Sequence, residues 1–239
     1  MKSYNLINAH FINLEENYSD VHSISIADGK IVAINNPLQN VDNIDLKGAY
    51  VIPGFIDAHF HIKNLGQRLE MVNLKGITSE KKIARLIHEK SKELKPGQWI
   101  EGFGWDQNLW VDPKFPKKET LNSAAPNHPI FLTRIDGHSA WINDATIKYS
   151  NLNLNKNIDG GSIINECILI DNAMNHVKDY LPTPNKETIK KWLLNGAKYA
   201  AERGITNVHD AWQSPDIIES MIELVQEDKM PIKCYGMIG

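Results

Sequence analysis

The chain has 239 residues, with 26 basic against 29 acidic side chains and a net charge of −3, so it offers no broad electrostatic lure for nucleic acid or anionic lipid. An apolar content of 42% is ordinary for a folded protein with a proper core and excludes a disordered chain. Neither MKSYNLINAHFINLEE at the start nor any later run has the apolar core of a signal peptide or the roughly 20 apolar residues of a membrane helix, so the expected location is the cytoplasm and no membrane partner is expected.

Residues 1–50 read as short strands. Apolar residues recur in NLINAHFINL and again in SISIADGKIVAI, where Asp28-Gly29 separates two alternating segments. Asp-Gly at such a place signals a hairpin, because a type I′ turn needs positive φ at both central positions. His10 and His22 fall in this part, with no carboxylate motif beside them, and read as surface or packing residues. Next comes VIPGFIDAHFH at 51–61, a short apolar strand punctuated by Pro53-Gly54 and followed by Gly66, which relaxes the chain. Successive side chains of a strand point to opposite faces, so His59 and His61 share one face and Phe60 turns away. Imidazole nitrogen suits zinc and other borderline divalent metals, and two rings on one face can hold one ion. The pair is incomplete, since a catalytic zinc takes at least three protein ligands and keeps a place for water.

Residues 79–94 place Ile83, Leu86, Ile87 and Leu94 on one helical face, starting near Thr78 and Ser79 and stopping at Pro96-Gly97. His88 belongs to that helix's surface. Strands follow at 99–105 (WIEGFGW) and 129–135 (PIFLTRI), with a Pro-rich stretch between them, and NLNLNKN at 151–157 is an Asn-rich turn. Residues 183–202 form the clearest helix, with Thr183 as cap, Pro184 in the first turn, a buried stripe of Ile189, Trp192, Leu193, Ala197 and Ala200, and Gly204 closing it. A strand at 205–211, a helix opened by Ser214-Pro215 and reaching about 228, and a strand at 231–238 complete the chain. This alternation is the rhythm of a parallel α/β sheet. Cys167 and Cys234 are too few and too far apart for a disulfide framework or a zinc site, and read as small buried thiols.

Three further clusters combine aromatic and titratable residues at the ends of expected strands: Gly104-Trp105-Asp106, Asp136-Gly137-His138 and His209-Asp210. Strand ends carry the ligand site in parallel α/β folds, so a common pocket is the economical reading. Each cluster also has a plain structural reading: a packing aromatic beside a capping aspartate, an Asp-Gly turn with a solvent-facing histidine, and a strand end with one side chain on each face. Of the last pair His209 is the preferred site residue, because it alternates with Thr206 and Val208. Ser139 follows His138 without a Gly-x-Ser-x-Gly elbow, so no nucleophilic triad competes. A binding module using the faces of Trp105 and Trp141 is a weaker alternative.

The run Pro-Gly-apolar-apolar-Asp-x-His-x-His at 53–61 resembles the first barrel strand of the amidohydrolase superfamily. GFGWDQNLW at 102–110 with LTRIDGHSAWIND at 132–144 is similar to the insertion of its amidohydrolase 3 subgroup, which includes N-substituted formamide deformylase-like proteins, and GITNVHDA at 204–211 to that subgroup's second barrel strand. The resemblance implies an N-terminal β-sandwich portion at 1–50 and, over 51–239, the first strands of a metal-bearing (β/α)8 barrel with an insertion at about 76–182. It implies that His59 and His61 bind a divalent metal, zinc being expected, that Trp105, Asp106, Asp136 and His138 shape the substrate pocket, and that the reaction is hydrolysis of a carbon-nitrogen bond in a small-molecule amide or formamide.

The subgroup's remaining ligands and its proton shuttle, on the fourth, fifth, sixth and eighth barrel strands, have no counterpart here, and GGSIINECILIDNAM at 160–174 looks shortened. About three of eight strands leave open edges. The rival expectation is therefore a non-catalytic remnant, or a half-barrel completed by self-association or a complementing chain.

Overall fold

The computed structural model describes residues 3–12, 21–155 and 157–239. Residues 13 and 14 of the first expected strand segment and Lys156 of the Asn-rich turn lie outside the described residues. The fold is mixed α/β and divides into two compact units, Met1–Asp57 with Gly204–Asn207, and Ala58–Arg203 with Val208–Gly239. Where the sequence placed a boundary after residue 50, the first unit continues to Asp57, and Phe55 N donates to the Gly204 carbonyl at 2.8 Å. No helix among the described residues is long and apolar enough to cross a membrane.

In the first unit, strands β1 (Tyr4–Phe11), β2 (Ser23–Ala27), β3 (Lys30–Ile34) and β4 (Asp42–Val51) form one sheet in the order β3-β2-β1-β4. Among the described residues these four strands are the one sheet lying wholly within this unit. Asp28 and Gly29 both have positive φ, 49° and 73°, and link Ala27 to its cross-strand partner Lys30, which is the expected two-residue hairpin. Asn5 is the buried hub of the unit. Its amide nitrogen donates to the Leu38 carbonyl and to Asn43 Oδ1, while its oxygen accepts from Ser25 Oγ and Leu38 N. With both ends of the amide satisfied, it ties the 38–43 segment to the sheet centre. His10 stacks on Tyr50 at 4.9 Å, a packing role.

Strand β5 (Phe55–Phe60) leads into helix α1 (Ile62–Glu70). The second unit then runs through β6 (Val72–Asn73), α2 (Glu80–Lys92), β7 (Ile100–Trp105), α3 (Lys118–Ala124), β8 (Ile130–Arg134), β9 (Ser139–Ile142), α4 (Asp144–Tyr149), β10 (Gly161–Ile164), β11 (Ile168–Asp171), α5 (Asn175–Lys178) and α6 (Lys186–Ala201). It closes with β12 (Ile205–Gln213), α7 (Pro215–Gln226) and β13 (Lys233–Ile238). Strands β5, β12 and β13 make a three-stranded sheet with β12 in the middle.

A six-stranded sheet, in the order β10-β11-β9-β8-β7-β6, carries the main core. It is parallel from β6 to β8, as the rhythm of strands and helices implies, but antiparallel from β8 through β9 and β11 to β10. Short connections account for two of these pairings, four residues joining β8 to β9 and three joining β10 to β11, since a parallel neighbour needs a crossover several times longer. Wholly buried Trp105, Trp141, Ile83, Ile87, Leu121, Leu132 and Ile168 form the cluster around it. Leu86, expected on the buried face of α2, is exposed because it lies 100° round the helix from Ile87.

The cap of α6 is Asn185, whose side chain accepts from Thr188 N at 2.9 Å, and not Thr183. A start at Thr183 would put Asn185 inside the helix, where its amide competes with the backbone. Gly66 reads in the sequence as a break, yet it lies inside helix α1. In the fold Gly66 is buried at a crossing with α6: a Cβ there would sit 1.8 Å from the Trp192 carbonyl oxygen, and one on Gly196 would sit 2.3 Å from that of Ile62. The two backbones touch, so no larger residue fits at either place.

Gly66→Ala and Gly196→Ala are expected to lower unfolding free energy by at least about 2 kcal/mol each, since backbone must move to admit the methyl group, a loss that denaturant titration measures. Burial pushes the Cys167 and Cys234 thiols up to about 12, so both should resist iodoacetamide at pH 8 in the native chain and react on unfolding in guanidinium.

Candidate metal centre

The side chains singled out from sequence fall into two groups within the second unit. The first lies where β5 gives way to α1. His59 and His61 do meet: their ring centroids are 5.2 Å apart with the planes nearly perpendicular. His61 Nδ1 lies 3.1 Å from the Ala211 carbonyl oxygen. A carbonyl only accepts, so Nδ1 carries the proton and Nε2 is the nitrogen left to face a metal, the tautomer a metal-ligating histidine of this kind uses.

Strand β12 contributes Asp210, the less favoured member of the His209-Asp210 cluster, and Trp212, which has no signal in the sequence. The Asp210 side chain is wholly buried; its Oδ1 accepts from Ile62 N at 2.8 Å, and its Oδ2 is buried with no hydrogen-bond partner. Burial pushes this carboxyl above the usual range, partly offset by the Ile62 N–H and by the His61 imidazole. Trp212, 73% exposed, stacks on His61 at 6.3 Å and meets His59 edge-on at 5.8 Å. Its φ of 52° is rare for so large a side chain, and strain of that kind tends to gather at functional sites. His209 instead packs its ring 5.4 Å from that of Tyr235 on β13. The only sequence signal for Asp210 was its place beside His209 at a strand end, where regular alternation could not say which of the two would turn inward.

The second group is centred on Arg134 at the end of β8. Its guanidinium donates to Asp106 at 3.3 Å, to Gln107 Oε1 at 2.9 Å and to Asp136, and it lies over the Trp105 ring at 5.9 Å. Asp106 also caps the following turn through Asn108 N, and Asp136 accepts from His138 N at 3.0 Å in the Asp-Gly turn, where Gly137 takes a φ of 78°. His138 is exposed and its Nδ1 meets Asp171 Oδ1 at 2.9 Å. Trp105 lies wholly in the core, its indole N–H donating to the Leu132 carbonyl at 2.7 Å. Trp141 is equally buried, so neither ring has a face to offer a bound sugar, which removes the binding-module alternative built on them.

Among the described residues, no set of three or more His, Cys, Asp or Glu side chains is gathered to hold a metal ion. What is present fits two ligands of a larger set: paired imidazoles, one with its tautomer set by a backbone carbonyl, beside a buried carboxylate oxygen that lacks a donor.

The amidohydrolase family model matches residues 42–237. The chain is 29% identical over 174 residues to the protein LONG AFTER FAR-RED 3 of Arabidopsis thaliana, covering 70% of this chain and 30% of that one. It is 23% identical over 156 residues to the N-substituted formamide deformylase of Arthrobacter pascens, covering 62% of this chain and 29% of that one. A metal-dependent hydrolase of uncharacterized activity from Pyrococcus horikoshii OT3 shares the fold, with a TM-score of 0.77 at 24% identity over 99% of this chain and 48% of that one. The chain thus spans less than half the length of each of these proteins.

Arg134→Met strands Asp106, Asp136 and buried Gln107 without their shared donor, and is expected to cost about 1–3 kcal/mol in denaturant unfolding.

Proposed function

Since the chain belongs to the amidohydrolase family, we propose that it forms the first metal-binding part of a hydrolase acting on a non-peptide carbon-nitrogen bond in a small amide or formamide. The observation that carries this reading is the His59–His61 pair with the His61 ring held by the Ala211 carbonyl. The name of the Arthrobacter pascens relative supports the bond class. In this reading the sheet of β5, β12 and β13 corresponds to the first strands of a (β/α)8 barrel, and the segment at about 76–182, with five of the six strands of the large sheet, to an insertion.

His59 and His61 would hold the divalent metal, for which zinc is the proposed identity on the strength of its imidazole donors. When bound, such an ion supplies Lewis-acid polarisation of the substrate carbonyl and a water acidified toward neutral pH. Ala211 keeps the proton on His61 Nδ1, and Trp212 screens one side of both rings. Asp106, Asp136 and His138, with Trp105 as the support beneath Arg134, and His209 on β12 are the proposed pocket residues. The proton carrier for the leaving amine is not assigned to any of them.

A second reading is favoured by the two-donor set: a non-catalytic remnant, or a half-barrel that binds metal fully only with a complementing chain or by self-association. Metal analysis separates the two. The hydrolase reading expects about one zinc per chain, lost in the His59→Ala, His61→Ala double variant, with formate release from N-substituted formamides lost alongside. Hydrolysis that survives the double variant would overturn the proposed mechanism, and a zinc content near zero would favour the second reading.

A further inference from the structure

Three consecutive residues of β12 grip the end of the histidine strand, each by a different means. Asp210 accepts from Ile62 N at 2.8 Å, Ala211 accepts from His61 Nδ1 at 3.1 Å, and the Trp212 indole stacks on His61 within 13° of parallel. Helix α1 has no side-chain cap from its own N-terminal residue, His61. Its first N–H is met instead by a carboxylate 148 residues away in sequence. Ile62 directly follows His61, so that bond sets where the backbone carrying the imidazole can lie.

The same carboxylate carries an unspent capacity. Asp210 is 0% exposed and its Oδ2 meets no donor among the described residues. An oxygen buried in this way loses its water without replacement, an arrangement that persists where something else compensates it. His61, the residue directly before the Ile62 amide that Asp210 holds, is one of the two imidazole donors.

We infer that Asp210 is a positioning residue of the metal centre: Oδ1 anchors Ile62 and with it the His61 backbone, while Oδ2 provides buried negative charge next to a divalent cation held by His59 and His61, without itself being a ligand. This rests on the metal-binding reading above. Outer carboxylates of this kind hold ligand geometry and raise affinity, and losing one typically weakens metal binding by about 10–100-fold.

The test is zinc affinity, measured on the full chain by competition with a chromophoric chelator. Asp210→Asn keeps an acceptor for Ile62 N–H and nearly the same shape. It should leave the metal-free melting temperature within about 4 °C of the wild type while weakening zinc binding by about 10–100-fold. Asp210→Ala, which also removes the anchor, should lower both. Unchanged zinc affinity in Asp210→Asn overturns this inference and leaves the metal reading standing. A wild type that binds no zinc, or a His59→Ala, His61→Ala double variant with unchanged affinity, overturns the metal reading and this inference together. Hydrogen exchange gives a readout that needs no variant: the Ile62 amide of the metal-free chain should be strongly protected, and exchange at the rate of an open amide would refute the anchor.

Discussion

One backbone amide and one imidazole nitrogen, adjacent in sequence and both bonded to β12, hold together the part of this molecule where chemistry is concentrated. Ile62 N meets the Asp210 carboxylate and His61 Nδ1 meets the Ala211 carbonyl. His59 near the end of β5 and His61 just beyond it bring their rings together, but the local chain leaves their rotations and proton positions open. Those are set by a second strand whose side chain and carbonyl arrive from outside the local sequence.

Helix α1 is secured along its whole length, which is why its first turn can serve as a fixed reference for the histidines. At its start is the Asp210 carboxylate, and in its middle the close crossing of Gly66 with the α6 backbone. At its end Glu70 accepts from Trp192 Nε1 at 2.9 Å and pairs with Lys191 at 2.7 Å. Burial pushes the Glu70 carboxyl up, and the bonds from Lys191 and Trp192 more than reverse it, leaving the group below the usual glutamate range. Two helices whose backbones touch at paired glycines leave little room for independent motion, so α6 stiffens α1 much as β12 anchors it.

The polar residues at the ends of β7 and β8 follow a different plan. Arg134 gathers Asp106, Asp136 and Gln107 over the Trp105 ring, and only His138, joined to Asp171, stands well out toward solvent. Their strand-end positions were readable from sequence, but that the arginine between them would collect both aspartates was not, because TRID gives the order of residues and not the direction of a guanidinium. Asp171 was invisible for a related reason. It faces His138 only because β11 pairs with β9 through Ile170 and Ser139, a register with no local signal.

Taken alone, the sequence determined the family resemblance, most strands and helices, the Asp28-Gly29 hairpin and the pairing of His59 and His61, all of which depend on spacing within a few residues and on intrinsic backbone preferences. Tertiary structure alone decided that Gly66 is a helix crossing and not a break, that half the large sheet is antiparallel, and that Asp210 rather than His209 joins the histidine strand. Each of these turns on a contact between residues far apart in the chain, where the close approach of two backbones or the burial of one carboxylate outweighs any preference the local residues express.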